Sequence, residues 1–194
     1  MTANMSEGEW LLVHGGGSGI GTAAIQIGRA LGARIAVTAG SPEKLDRCRH
    51  LGADVLINYH EQDFVEVMLD ATGGRGANVI LDNMGAVYLE RNVTALARDG
   101  RLLIIGMQGG AKAELNINAL LRKNASVHAT SLRGRPESEK AAICAQVERN
   151  VWPWVHAGVV RPIIDRVLPL RDAAYAHQLL ADGAVTGKVV LSNS

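Results

Sequence analysis

The chain is predicted to be an α/β protein built on a doubly wound parallel sheet. Short apolar runs alternate with stretches of helical periodicity, the apolar runs are nearly unbroken, and the first stops at a glycine cluster that opens into a helical pattern. Nearly unbroken apolar strands are buried on both faces. Strands alternating with helices join through right-handed crossovers, with ligand crevices at the carboxyl ends of the strands.

The elements follow in order. Trp10 to His14 reads as the first strand, and Gly15-Gly16-Gly17-Ser18-Gly19-Ile20-Gly21 breaks it. In the helix after it, Thr22, Gln26 and Arg29 draw one polar stripe on a background of Ala, Ile, Gly and Leu. Gly32 stands where a left-handed cap ends a helix. Arg34 to Ala39 is a second strand; Ser41 then caps a helix that has Pro42 at its first position. Leu45, Cys48 and Leu51 share that helix's inner face, so Cys48 reads as core rather than nucleophile.

Asp54 to Asn58 is a third strand, and Phe64, Val67, Met68 and Ala71 recur at helical spacing. Asn78 to Asp82 is the fourth strand, with Leu89, Val93 and Leu96 marking the next helix. Arg101 to Gly106 and Ser126 to Thr130 complete the series. Beyond them Cys144, Val147, Val151 and Trp154 form a helical stripe that Pro153 bends or shortens. The run Arg161 to Val167, a helix near Arg171 to Ala181 and a last strand from Lys188 to Leu191 follow.

Composition narrows the function classes. A net charge of +1 with 20% charged residues gives no global field for nucleic acid. The two cysteines, Cys48 and Cys144, and the six histidines show no metal-ligand spacing, and isolated thiols fit a reducing compartment. No apolar run approaches membrane-spanning length and Met1 to Trp10 is too polar for a signal peptide, so a cytoplasmic location is expected.

A strand, a glycine turn and a helix in that order suit a dinucleotide pyrophosphate. Glycines let the backbone approach the phosphates, and the helix N-terminus offers free N–H groups at a positive dipole end. A Rossmann fold results, with residues 1–9 as an arm, 10–135 as the dinucleotide-binding domain and 136–194 as a C-terminal tail. An NAD site usually has an acid about 20 residues past the glycines. Here that position holds Ala39-Gly40-Ser41, and the lack of a carboxylate permits the 2′-phosphate of NADP(H). Lys44 and Tyr59 are candidates to meet that phosphate; a solvated helix charge and a loop aromatic are the alternatives.

Two oxidoreductase families share the glycine pattern. Short-chain dehydrogenases need Tyr-x-x-x-Lys, but Tyr59, Tyr88 and Tyr175 are followed four positions on by Asp63, Asn92 and Leu179. The better match is elsewhere. Val13 to Gln26, Thr38-Ala39-Gly40-Ser41-x-x-Lys44, Leu51-Gly52-Ala53-Asp54, Ile57-Asn58-Tyr59, Ala71 to Gly76, Ile105-Gly106-Met107-x-Gly109-Gly110 and Gly187 to Leu191 stand in order along the chain. In these blocks it resembles the zinc-free medium-chain dehydrogenase/reductases, the zeta-crystallin-like NADPH:quinone oxidoreductases.

That resemblance implies NADPH as cofactor, no zinc, and hydride transfer to a quinone or enone. Carried over by position, it puts Gly16, Ser18, Gly19 and Ile20 at the pyrophosphate. Gly40, Ser41, Lys44 and Tyr59 would lie about the 2′-phosphate, and Met107 beside the nicotinamide. Such reductases begin with a barrel-like catalytic domain, whereas only Met1 to Gly8 precede the first strand here. The expectation is therefore a cofactor-binding part with no assignable catalytic residue. Its tail should pack in a way foreign to the family or pair with another chain, as in a homo-oligomer. A non-catalytic NADPH-binding module and one half of an assembly with a separate catalytic chain remain the alternatives.

Outside the blocks, His14 is expected to serve in a structural hydrogen bond. Asp82-Asn83 is either a turn starter or part of the crevice, and Arg133 to Pro136 a solvated loop.

Overall fold

The computed structural model describes residues 3–193. Six parallel strands form one sheet in the order β3-β2-β1-β4-β5-β6: β1 Trp10–His14, β2 Arg34–Ala39, β3 Val55–Asn58, β4 Ala77–Asp82, β5 Leu96–Ile104 and β6 Ser126–Ala129. The order reverses between β1 and β4, and the carboxyl ends of those two strands bound the crevice described below. This is the doubly wound Rossmann arrangement that the sequence predicts.

Strand alternation explains the two covered faces. Leu11 and Val13 pack with Ile25, Ile35, Val37, Leu45 and Cys48 on the side of helices α1 (Gly19–Ala30) and α2 (Pro42–His50). Trp10 and Leu12 face the other way, against Phe64, Met68, Ile80, Leu96 and Leu102, with α3 (Phe64–Ala71) and α4 (Leu89–Ala95) behind them. Helix α1 comes close to the sheet because a Cβ on Gly28 would lie 2.7 Å from Ile35 Cδ1. Ser41 caps α2 by accepting from the Lys44 N–H, and Pro42 occupies its first turn, as expected.

Several elements depart from expectation. Leu96 does not continue α4; it turns to extended backbone (φ −65°, ψ 143°) and opens β5 opposite Ala77. A seven-residue helix, α5 (Ile117–Lys123), lies between β5 and β6 where none was anticipated. Lys123 at its end donates to the carbonyls of Val93, Thr94 and Leu96, satisfying the open end of α4 with a cation. On α1, Thr22 and Gln26 are buried rather than a wet stripe. Gln26 Nε2 donates to the Arg161 carbonyl and Oε1 accepts from the Arg161 N–H, both at 3.0 Å.

That pair fastens the tail to the body. Pro153 ends α6 (Glu137–Asn150) and falls in the first turn of α7 (Trp152–His156), so the stripe is shortened at that point. A separate parallel pair, β7 (Ile164–Pro169) and β8 (Lys188–Ser192), is joined through α8 (Ala173–Ala181). The Gly187 N–H donates to the Gly17 carbonyl at 2.8 Å, and Arg47 pairs with Asp165 at 3.0 Å. Val167, Leu170 and Leu191 remain exposed on the tail. Among the described residues, no helix is long and apolar enough to cross a membrane.

Candidate functional site

After His14 the chain leaves β1 through Gly15, whose φ of +69° is left-handed. Ser18 caps α1, its Oγ accepting from the Gly21 N–H at 3.0 Å. The N–H groups of Gly19 and Ile20 are left without intrahelical acceptors at the positive end of the helix. Gly21 has to be glycine, since a Cβ there would lie 2.3 Å from the Gly15 carbonyl oxygen and 2.6 Å from that of Gly16. Gly16 is packed beneath the loop against Val37 and Cys48 and does not line the crevice.

Two adjoining hollows open over this loop. One, of ≈ 420 Å³, brings together Ser18, Gly19, Gly40, Lys44 and Tyr59. The other, of ≈ 530 Å³, is walled by Ile20, Leu81, Ile105 and Val189. They share Ser18, Gly19, Asn83, Gln108, Leu180 and Gly187. Among the described residues, no Asp or Glu lines either one. At the end of β2, Gly40 leaves room for the Tyr59 ring: a Cβ on it would meet Tyr59 Oη at 2.3 Å. Tyr59 is half-exposed and packs on the His60 ring at 4.5 Å. The stem of Lys44 lies against Gly17, and its Nζ donates to the Gly183 carbonyl. Ser41 stays at the cap of α2, outside the lining. Met107, 68% exposed, lines a different, apolar hollow of ≈ 640 Å³ with Ile104, Ala129 and Thr130.

Two contributors, Lys188 and Gln108, were not singled out as site residues from sequence; a third, Asn83, was left between a turn and the crevice, and it lines the crevice. The Lys188 ammonium stands over the mouth of α1, 2.8 Å from where a Gly19 Cβ would be. Gln108 faces Asn83, whose Nδ2 reaches Gln108 Oε1 at 3.4 Å. Asn83 Oδ1 is buried without a hydrogen-bond partner, an orphan acceptor on a residue that lines both hollows. Glycines at the turn, two lysines, a free helix mouth and an orphan amide oxygen fit a phosphate-bearing dinucleotide.

The neighbouring polar groups are structural. His14 is buried between Phe64 and Tyr88, donating from Nε2 to Asn92 Oδ1 at 2.7 Å, with Nδ1 3.2 Å from Thr38 Oγ1. Burial lowers its pKa from 6.5 to about 4, with the Arg91 charge adding to the shift and the Asn92 bond opposing it. Asp82 is fully buried and accepts from the N–H groups of Met84 and Gly85, the turn-starting role; burial raises its pKa against those bonds.

Comparison with known proteins places this crevice in a family. The family model described as zinc-binding dehydrogenase matches residues 19–146. The chain belongs to the medium-chain dehydrogenase/reductases. It contains the cofactor-binding domain of that family. Across 98% of its length it is 29% identical to a Burkholderia 2-haloacrylate reductase, of which it covers 57%. Escherichia coli quinone oxidoreductase, solved in complex with NADPH, superposes with a TM-score of 0.83 at 29% identity, over 97% of this chain and 58% of that one. An NAD-dependent alcohol dehydrogenase gives the same TM-score at 35% identity, over 97% of this chain and 52% of that one. This medium-chain dehydrogenase/reductase chain thus spans little more than half the length of such relatives. The family model's description mentions zinc, yet among the described residues no three His, Cys, Asp or Glu side chains are grouped to hold an ion.

Proposed function

We propose that the chain binds NADPH and supplies the cofactor-binding part, residues 10–135, of an oxidoreductase acting on a quinone or enone, with 136–194 as its tail. The supporting observation is the hollow free of carboxylates at the end of β2, where Gly40, Lys44 and Tyr59 meet the open N-terminus of α1. A ribose 2′-phosphate would find there a cation and a phenol and no like charge to repel it. The pyrophosphate would lie on the N–H groups of Gly19 and Ile20, beneath the Lys188 ammonium. NADPH supplies a hydride when bound; the protein's contribution is to hold it in place, with Leu81, Ile105 and Val189 excluding water from one wall.

Calorimetric titration with NADPH and NADH tests this reading. NADPH is expected to bind at least about tenfold more tightly, and Lys44→Gln to abolish that preference by removing one charged hydrogen bond. Equal affinities in the unsubstituted chain would refute the NADP assignment. A quinone-reduction assay then separates a reductase from a module that binds without turnover. Exposed Val167, Leu170 and Leu191 on the tail favour pairing with a second chain, which analytical ultracentrifugation would detect as a dimer.

A further inference from the structure

At the opposite edge of the sheet from the glycine loop, the N-terminal ends of β1, β2, β4 and β5 surround a hollow of ≈ 370 Å³. Three guanidinium groups line it, Arg34, Arg75 and Arg98, with no carboxylate among the lining residues. Arg34 lies over the indole of Trp10, 5.8 Å from the ring centroid. Arg75 is oriented by its Nε, which donates to the Thr72 carbonyl at 3.0 Å. Among the described residues neither of these two arginines forms an ion pair. Arg98 reaches only the adjacent Asp99, at 3.8 Å, where the two side chains are 74% and 71% exposed and the attraction is weak. Glu9, next to Trp10 in sequence, is taken by Arg101 at 2.8 Å. Trp10 itself is buried, and its Nε1–H has no acceptor.

We propose that this hollow is a second anion site, which takes a phosphate group either free or carried by a small ester. Three like charges held around one cavity, with only the weak, exposed Asp99 beside Arg98 to offset them, repel one another, and a bound dianion reverses the sign of that interaction. The planar guanidinium fork matches two phosphate oxygens at once, so arginine suits such a site better than lysine. The volume lies near the lower end of the range of about 300–1,000 Å³ for small-molecule sites. Strand β1 runs from this hollow at Trp10 to the glycine loop beyond His14, so the two anion sites lie at opposite ends of one strand.

The three tryptophans, Trp10, Trp152 and Trp154, provide the readout. In ¹⁵N-labelled protein each gives an indole N–H cross-peak, and Trp10→Phe identifies the relevant one. Titration with inorganic phosphate, compared with chloride at matched ionic strength, is expected to shift the Trp10 peak saturably. Arg34→Gln and Arg98→Gln, both at exposed side chains, are each expected to weaken that response about tenfold, whereas Lys44→Gln leaves its midpoint unchanged. Unchanged melting curves establish that the variants fold. Glycerol phosphate binding more tightly than inorganic phosphate would assign the site to an ester, and the reverse order to the free ion. A shift equal to that in chloride, or a midpoint insensitive to both arginine substitutions, overturns the proposal.

Discussion

His14 Nε2 donates to Asn92 Oδ1 at 2.7 Å, tying the end of β1 to the middle of α4 in a pocket walled by Phe64 and Tyr88. The bond requires a proton on Nε2; burial, not this bond, keeps the ring neutral, and in the neutral form Nδ1 is left to accept from Thr38. Unfolding returns this histidine from a pKa of about 4 to one near 6.5. The unfolded chain therefore binds the extra proton between those values. Stability from this group is complete above pH 6.5 and falls by about 3 kcal/mol as the pH drops to about 4. Urea unfolding across that window should show the loss, and His14→Phe should flatten the slope. An identical slope in that variant would locate the titration elsewhere.

Gly21→Ala is expected to cost about 1–3 kcal/mol or more, because the added methyl meets two carbonyl oxygens rather than a side chain that can move. Gly134→Ala, at a position with nothing within 4 Å of the added carbon, is the matched control and should change the melting temperature little. Calorimetry of the two variants checks the contrast, and only the first should also lose nucleotide binding.

Gln26→Leu preserves bulk but removes both bonds to the Arg161 backbone, leaving an N–H and a carbonyl without partners. A loss of about 1–3 kcal/mol is expected in tail docking. Hydrogen exchange followed by mass spectrometry should show faster exchange in β7, α8 and β8 and none in β1 or β4. Uniform acceleration across the chain would mean the tail and the sheet open together.

The two thiols should differ sharply toward a disulfide reagent. Cys144 is exposed, while Cys48 is fully buried, with burial pushing its pKa up to about 11 despite the nearby Lys44 charge. One thiol should react in the native state and the second only in denaturant. Reaction of both at equal rates would contradict the packing of α2 on the sheet.

Most of the architecture was legible because its signals are local. The alternation of Leu11 and Val13 with Trp10 and Leu12, the Ser41-Pro42 cap and the glycine turn each need only a few neighbouring residues to read. Leu96 misled because Leu89, Val93 and Leu96 keep helical spacing, while the partner that draws Leu96 into a strand, Ala77, lies far back in sequence. Gln26 misled in the same way, since its partner Arg161 stands 135 positions on. Of the candidate site residues, Ser18, Gly19, Gly40, Lys44 and Tyr59 meet in one hollow because strand ends in such a sheet converge. Lys188 carried no signal of its own; only the return of the tail brings its ammonium to α1. Helix α5 went unread because seven residues carry too little periodicity to separate from a loop.

The return of the tail also fixes an order of events. Lys44 and Gly183, whose contact closes one side of the crevice, lie 139 positions apart, and Gly17 meets Gly187 in the same way. On a ribosome the sheet strands β1 to β6 emerge well before the segment that walls the crevice. The crevice is thus completed only after the sheet, and removal of the segment from Gly183 to Lys188 would open it while sparing the sheet. A chain cut just before Gly183 would keep a folded body with an unfinished pocket.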